Sequence, residues 1–173
     1  ADKMGVDRGV GKGIMYATLY GAGDAKIGQL VGGGRREGRH MRNMLESGIP
    51  ALKMLKRAIK NRLKTQDWLP AIDGRRLPIR SDHAALNLLL QSAGSILMKQ
   101  ATIKMNRYIR QNKLQANQIM HVHDEVQFEA FESEAEDVGR IAVQSMREAG
   151  EPYEFRCPLD GEYKIGHSWA DTH

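Results

Sequence analysis

Arg8, Lys12, Tyr16 and Tyr20 recur at every fourth position of RGVGKGIMYATLYGAG. On a helix, residues so spaced lie one above another on a single face. Two cations followed by aromatic rings make a ladder suited to a nucleotide: the guanidinium and ammonium take phosphates, and a ring lies against sugar or base. The same spacing also fits an ordinary solvated face. A backbone cradle is the competing reading, because Lys12 sits among glycines. It fails on the pattern G-x-x-x-x-G-K-[ST], since Val6 stands where the first glycine belongs and Gly13 follows Lys12.

HVHDE at 121–125 places two carboxylates, Asp124 and Glu125, side by side in a break between two short apolar runs. A hard Mg²⁺ prefers such oxygens and keeps part of its water shell. An acidic residue in a plain tight turn is the bland alternative. A zinc reading of His121 and His123 lacks further His or Cys partners at convincing spacing. In HAALNLLLQSAG, Asn87 and Gln91 sit one helical turn apart. Amides on one helix face can bond the acceptors that A·T and T·A share in the minor groove; a buried capping or helix-helix amide pair is the bland alternative.

The first ladder needs a helix from Asp7 to about Leu19, with Asp7 as N-cap and Gly21 and Gly23 closing it. Gly9, Gly11 and Gly13 weaken it, each costing about 1 kcal/mol relative to Ala, and predict a helix that is loose until a ligand or partner packs on it. Shorter helices are expected at 24–32 and 35–46, and a basic one at 50–64 with Pro50 in its first turn. Residues 68–81 read as a hairpin about Asp73-Gly74, kept to an edge by Pro70 and Pro78. A long helix should run from Asp82 to about Gln111, capped by Ser81 or Asp82. Period-two runs then give a strand through His121, a break at HDE, and a strand through Phe128. A helix over 133–149 and short strands near 153–165 complete an α+β arrangement with helices flanking an antiparallel sheet.

The net charge of +5 is unevenly shared. Residues 1–80 hold 17 Lys/Arg against 7 Asp/Glu, and residues 81–173 hold 9 against 14. A basic half invites a polyanion such as nucleic acid. No apolar run approaches the ~20 residues of a membrane span, and the lone Cys157 excludes an internal disulfide and fits a reducing compartment.

R-x-x-x-K-x-x-x-Y-x-x-x-Y-G, then HAALN-x-LLQSAG, VHDE and a terminal W-x-x-x-H, occur in an order that resembles the C-terminal part of a family A DNA polymerase of the bacteriophage replicative type. The resemblance covers nearly the whole chain. It implies a right-hand polymerase fold, with helical fingers at 1–80 and the C-terminal part of the palm at 81–173. Arg8 and Lys12 would hold the triphosphate of an incoming dNTP, with Lys12 also protonating the departing pyrophosphate. Tyr16 would meet the deoxyribose and favour acceptance of dideoxynucleotides, and Tyr20 would stack at the templating position. Asp124 would bind catalytic Mg²⁺, one of two ions in the complete enzyme, with Glu125 as the supporting metal-site carboxylate. His123 would touch the primer terminus, and His83, Asn87 and Gln91 would read the minor groove of primer-template DNA.

The resemblance also implies a second catalytic aspartate in a D-x-S-x-x-E motif ahead of the nucleotide helix, which Asp2 and Asp7 do not supply. The expectation is therefore a C-terminal part or split subunit, inactive alone. It would need an N-terminal polymerase part, with room for a processivity factor, and would act in the cytoplasm, that of a bacterial host if phage-encoded. A DNA-binding piece without catalysis is the alternative.

Overall fold

The computed structural model describes residues 5–173; Asp2 lies outside them. The chain divides into two compact units, Ala1–Gln91 and Ser92–His173.

In the first unit, helix α1 (Arg8–Leu19) forms as the sequence predicts. The Asp7 carboxylate accepts from the amides of Gly9 at 2.9 Å and Val10 at 3.2 Å, satisfying donors that a helix start leaves unpaired. Ile14 turns inward and is fully buried with Ile27 of α2 (Asp24–Gln29) and Leu45 of α3 (Arg35–Gly48). Truncating such a residue to Ala costs about 2–5 kcal/mol, so Ile14 is a principal anchor of the nucleotide-ladder helix. Helices α2 and α3 approach through glycine: a Cβ on Gly38 would collide with the Asp24 carbonyl, and one on Gly28 with that of Gly34. Arg42 of α3 then bonds Asp24 at 2.8 Å and the Ala22 carbonyl at 2.6 Å, tying down the start of α2.

Helix α4 (Pro50–Arg62) buries Ile59, backed by Leu52, Leu55 and Leu63, against Leu69, Ala85 and Leu86. Leu69 comes from the expected hairpin, β1 (Trp68–Pro70) with β2 (Arg76–Pro78), in the register Leu69↔Leu77. Gly74 takes φ +83° in its turn, where a side chain would be strained. A 3₁₀ turn at Asp82–Ala84 precedes α5 (Ala85–Gln111). Here the expectation is corrected: neither Ser81 nor Asp82 caps α5 with its side chain, because the 3₁₀ turn intervenes and hands its own backbone to the helix.

The second unit holds the remainder of α5, the antiparallel pair β3 (Ala116–Val122) and β4 (Glu125–Ala130), helix α6 (Ala135–Glu148) and a terminal turn of helix, α7 (Trp169–Thr172). Ala101, Met105 and Ala149 form its core with Val126, Phe128 and Met146. The break between strands is shorter than HDE. Val122 pairs with Glu125, so Glu125 belongs to β4 and only His123 and Asp124 make the turn. A bulge at Ile119 shifts the register between Gln118 and Met120.

The strands expected near 153–165 are absent among the described residues. That segment packs by its aromatic rings instead. Tyr163 lies on the backbone of α6 at Gly139, where a Cβ would strike the ring, and its hydroxyl donates to Glu136 at 2.6 Å. Phe155 covers Gly150, with 2.7 Å between its Cβ and the position a Gly150 Cβ would take. Pro158 removes a ladder donor from the middle of the segment.

Candidate nucleotide and carboxylate sites

Arg8, Lys12 and Tyr16 stand on the exposed side of α1, and Tyr20 is its C-cap residue. The Lys12 ammonium lies 5.8 Å from the Tyr16 ring centroid, and the Tyr16 and Tyr20 rings are 6.5 Å apart. Neither Arg8 nor Lys12 forms an ion pair among the described residues. Asp7 already occupies the first free amides of this helix, so an anion arriving at α1 is left to the side chains on its flank rather than to a backbone cradle. This geometry supports the ladder over the loop.

Gly21 follows with φ +77°, and its α-carbon faces the His83 carbonyl so closely that any Cβ would collide with it. That approach places the end of α1 beside the start of α5. Gln91 Nε2 donates to the Tyr20 hydroxyl at 3.0 Å. Within this unit the structure thus joins two predicted site residues 71 positions apart. Asn87 is half-buried, while His83 and Gln91 are exposed. A buried amide pair is therefore not what the Asn87–Gln91 spacing encodes.

In the second unit, the turn residue His123 takes φ +54°, uncommon for a side chain other than glycine and a conformation that costs on the order of 1 kcal/mol. Asp124 beside it is exposed, and its carboxylate has no hydrogen bond or ion pair among the described residues. Glu125 is the opposite case. Its Oε1 accepts from Trp169 Nε1 at 2.9 Å and from the Gln127 amide, and its Oε2 lies 3.0 Å from His173 Nδ1. These bonds, from Gln127 first, then Trp169 and His173, hold the Glu125 carboxyl below the usual carboxylate range against the opposing effect of desolvation.

Asp124 fits a hard cation bound through one or two carboxylates and water. Glu125 differs in having both oxygens engaged within the protein. Among the described residues no group of three His, Cys, Asp or Glu could enclose a metal, and His121 Nε2 faces the His123 carbonyl at 3.3 Å rather than its ring.

Trp169, His173 and Gln127 are the residues that sequence reasoning gave no role. The spacing W-x-x-x-H was a usable signal, since it sets both rings on one face of α7, 5.3 Å apart. Their partner, 44 and 48 positions earlier, was not readable from spacing.

The family model described as DNA polymerase family A matches residues 3–171. The chain is 36% identical to the DNA-directed DNA polymerase of Escherichia phage T7 and 35% identical to that of Enterobacteria phage T3, each match covering 94% of this chain and 26% of the relative. It is 26% identical to DNA polymerase I of Bacillus caldotenax, over 93% of this chain and 19% of that protein. Among solved structures it resembles the POL domain of Pol1 from M. smegmatis, in complex with DNA primer-template and dNTP. The TM-score is 0.73 at 21% identity, covering 87% of this chain and 28% of that one, a likeness of fold. The chain spans about a quarter of the length of these phage relatives. Across nearly all of its own length, this chain belongs to DNA polymerase family A.

Proposed function

We propose that the chain supplies the nucleotide-binding helix and the metal-binding palm carboxylate of a DNA-directed DNA polymerase, which adds dNTPs to a primer 3′-OH under template direction. The observation that carries this reading is the ladder on α1: two uncommitted cations and a tyrosine on one exposed face of a helix whose N-terminal amides are already capped.

Arg8 and Lys12 hold the triphosphate, and Tyr16 meets the deoxyribose. The primer 3′-hydroxyl releases its proton to water as its oxygen bonds to the α-phosphorus and the bond to pyrophosphate breaks, and Lys12 gives the departing pyrophosphate a proton. Tyr20 stacks at the templating position, while His83, Asn87 and Gln91 contact the minor groove of the primer-template. Asp124 holds Mg²⁺, Glu125 fixes the turn that presents it, and His123 reaches the primer terminus. Bound Mg²⁺, two ions in the complete enzyme, supplies stabilisation of the attacking and leaving oxygens.

The second catalytic aspartate and the remaining palm come from an N-terminal polymerase part, and a processivity factor is a further partner. Such an enzyme works in the cytoplasm; among the described residues no helix is long and apolar enough to cross a membrane. Primer extension with the chain mixed with that N-terminal part tests the reading. Extension that requires Mg²⁺ and disappears with Asp124→Ala supports it, and extension indifferent to that change defeats it.

A further inference from the structure

Helix α4 carries a feature that the proposed polymerase site does not use. Its apolar residues Leu52, Leu55, Ile59 and Leu63 face the core of the first unit. Lys53, Arg57 and Lys60 fall at i, i+4 and i+7, a second stripe about a third of a turn away, and Lys64 continues it in the turn just beyond the C-cap Leu63. All four are exposed, and none forms an ion pair among the described residues. Among the described residues the only side-chain hydrogen bond of the four is a 3.2 Å bond from Lys64 Nζ to the Asn61 side chain. Lys56, on the edge nearer the core, differs in being paired with Glu46 of α3. The Glu46 carboxylate is thus already neutralised, and the carboxylates nearest the stripe's far end, Asp67 and Asp82, line a cavity with Lys64 without forming an ion pair to it among the described residues.

Helical rise spaces Lys53, Arg57 and Lys60 by roughly 4.5–6 Å over about 10 Å, and Lys64 extends the row past the end of the helix. Successive phosphates of a nucleic-acid strand are separated by a similar distance, so the stripe can follow a backbone without contacting bases. Protein interfaces are depleted in Lys and need buried aromatic or aliphatic anchors. Of the large apolar side chains of α4 only Met54, beside the stripe, is exposed, a single flexible group rather than an anchor cluster, which argues for a phosphate backbone over an acidic protein segment.

We infer that the Lys53–Arg57–Lys60–Lys64 face of α4 is a second, sequence-independent contact for the phosphodiester backbone of DNA, outside the α1 ladder and the start of α5. It rests on α4 and not on the assignment of catalytic roles.

The test titrates fluorescein-labelled oligonucleotides, single-stranded and duplex in separate arms, with the full chain over a range of salt. The variant Lys53→Gln/Arg57→Gln/Lys60→Gln/Lys64→Gln keeps helix-favouring residues at all four sites. It should bind at least one of the two DNA forms roughly tenfold or more weakly at moderate salt and flatten the plot of log K against log salt by about 3–4 units, since each phosphate contact contributes about 0.7 in a single strand and 0.9 in a duplex. The arm that shows the loss identifies the form bound. Arg8→Gln/Lys12→Gln serves as the comparison. A loss confined to that variant, with the α4 variant binding both forms like the parent chain at every salt, would overturn the inference. So would capture of a poly-glutamate peptide in preference to DNA with the same dependence on the four cations. Undiminished dNTP binding by Arg8→Gln/Lys12→Gln, with the α4 effect intact, would count against the catalytic roles alone.

Discussion

The Gln91 amide donates to the Tyr20 hydroxyl at 3.0 Å, linking the C-cap of α1 to the second turn of α5. Both residues are exposed, so water competes for each group. The bond should contribute no more than about 0.5–1 kcal/mol. Tyr20→Phe and Gln91→Ala, measured singly and together by urea unfolding, should show a coupling within that range. Strict additivity would mean that the pair does not hold the two helices in register.

Gly21 supports the same junction through its backbone. Its φ of +77° and the His83 carbonyl both exclude a side chain. Gly21→Ala should destabilise the chain by about 1–3 kcal/mol or more in denaturant unfolding. Gly48→Ala, at a position with open space around it, should be mild by comparison.

Asp7 tests the start of the nucleotide helix. Asp7→Ala should cost about 1 kcal/mol of stability and speed amide exchange at Gly9 and Val10, the two amides that its carboxylate accepts. The three glycines of α1 predict the same trend over residues 8–20 of the isolated chain. Strong exchange protection there would contradict a helix that tightens only on binding DNA or nucleotide.

Much of this local structure was legible because it depends on neighbours in sequence. The Asp7 cap, the four-residue ladder of α1 and the Leu69↔Leu77 hairpin about Asp73-Gly74 follow from spacing and turn chemistry. The errors have a different origin. The run 153–165 has strand-like composition, yet its rings settle on Gly139 and Gly150 of the α6 segment, a tertiary choice that no local pattern records. The bonds of Glu125, expected as the supporting carboxylate of the metal site, were likewise not readable from spacing. Its commitment to Trp169, His173 and Gln127 depends on a C-terminal turn folding back onto β4.

That cluster predicts a pH response. The Glu125 pKa is lowered in the folded state, so its stabilising contribution is present above the ordinary glutamate value of 4.5 and is lost as pH falls through the depressed folded value. The Trp169 indole N–H resonance should hold its position at neutral pH and move only below the usual carboxylate range. Glu125→Gln should remove that titration. An indole signal that titrates unchanged in Glu125→Gln would assign the response to another group.

Tyr16, with roughly half of its surface exposed on the ladder, sets the sugar preference in the proposed enzyme. The complete polymerase should incorporate dideoxynucleotides readily. Tyr16→Phe should discriminate against them by at least about tenfold, equivalent to about 1.4 kcal/mol in relative kcat/KM. Equal incorporation by both forms would remove Tyr16 from that role.

The most direct measurement is primer extension by this chain together with an N-terminal polymerase part, comparing the parent sequence with Asp124→Ala and Asp124→Asn at fixed Mg²⁺. Asp124 is the exposed carboxylate at the β3–β4 turn, beside the strained His123 and next to a glutamate already held in place. Both substitutions should abolish extension while leaving oligonucleotide affinity within about twofold, since the residue is asked to hold the metal and not the DNA. Extension at the parental rate in either variant would contradict the assignment of Asp124 as the palm carboxylate.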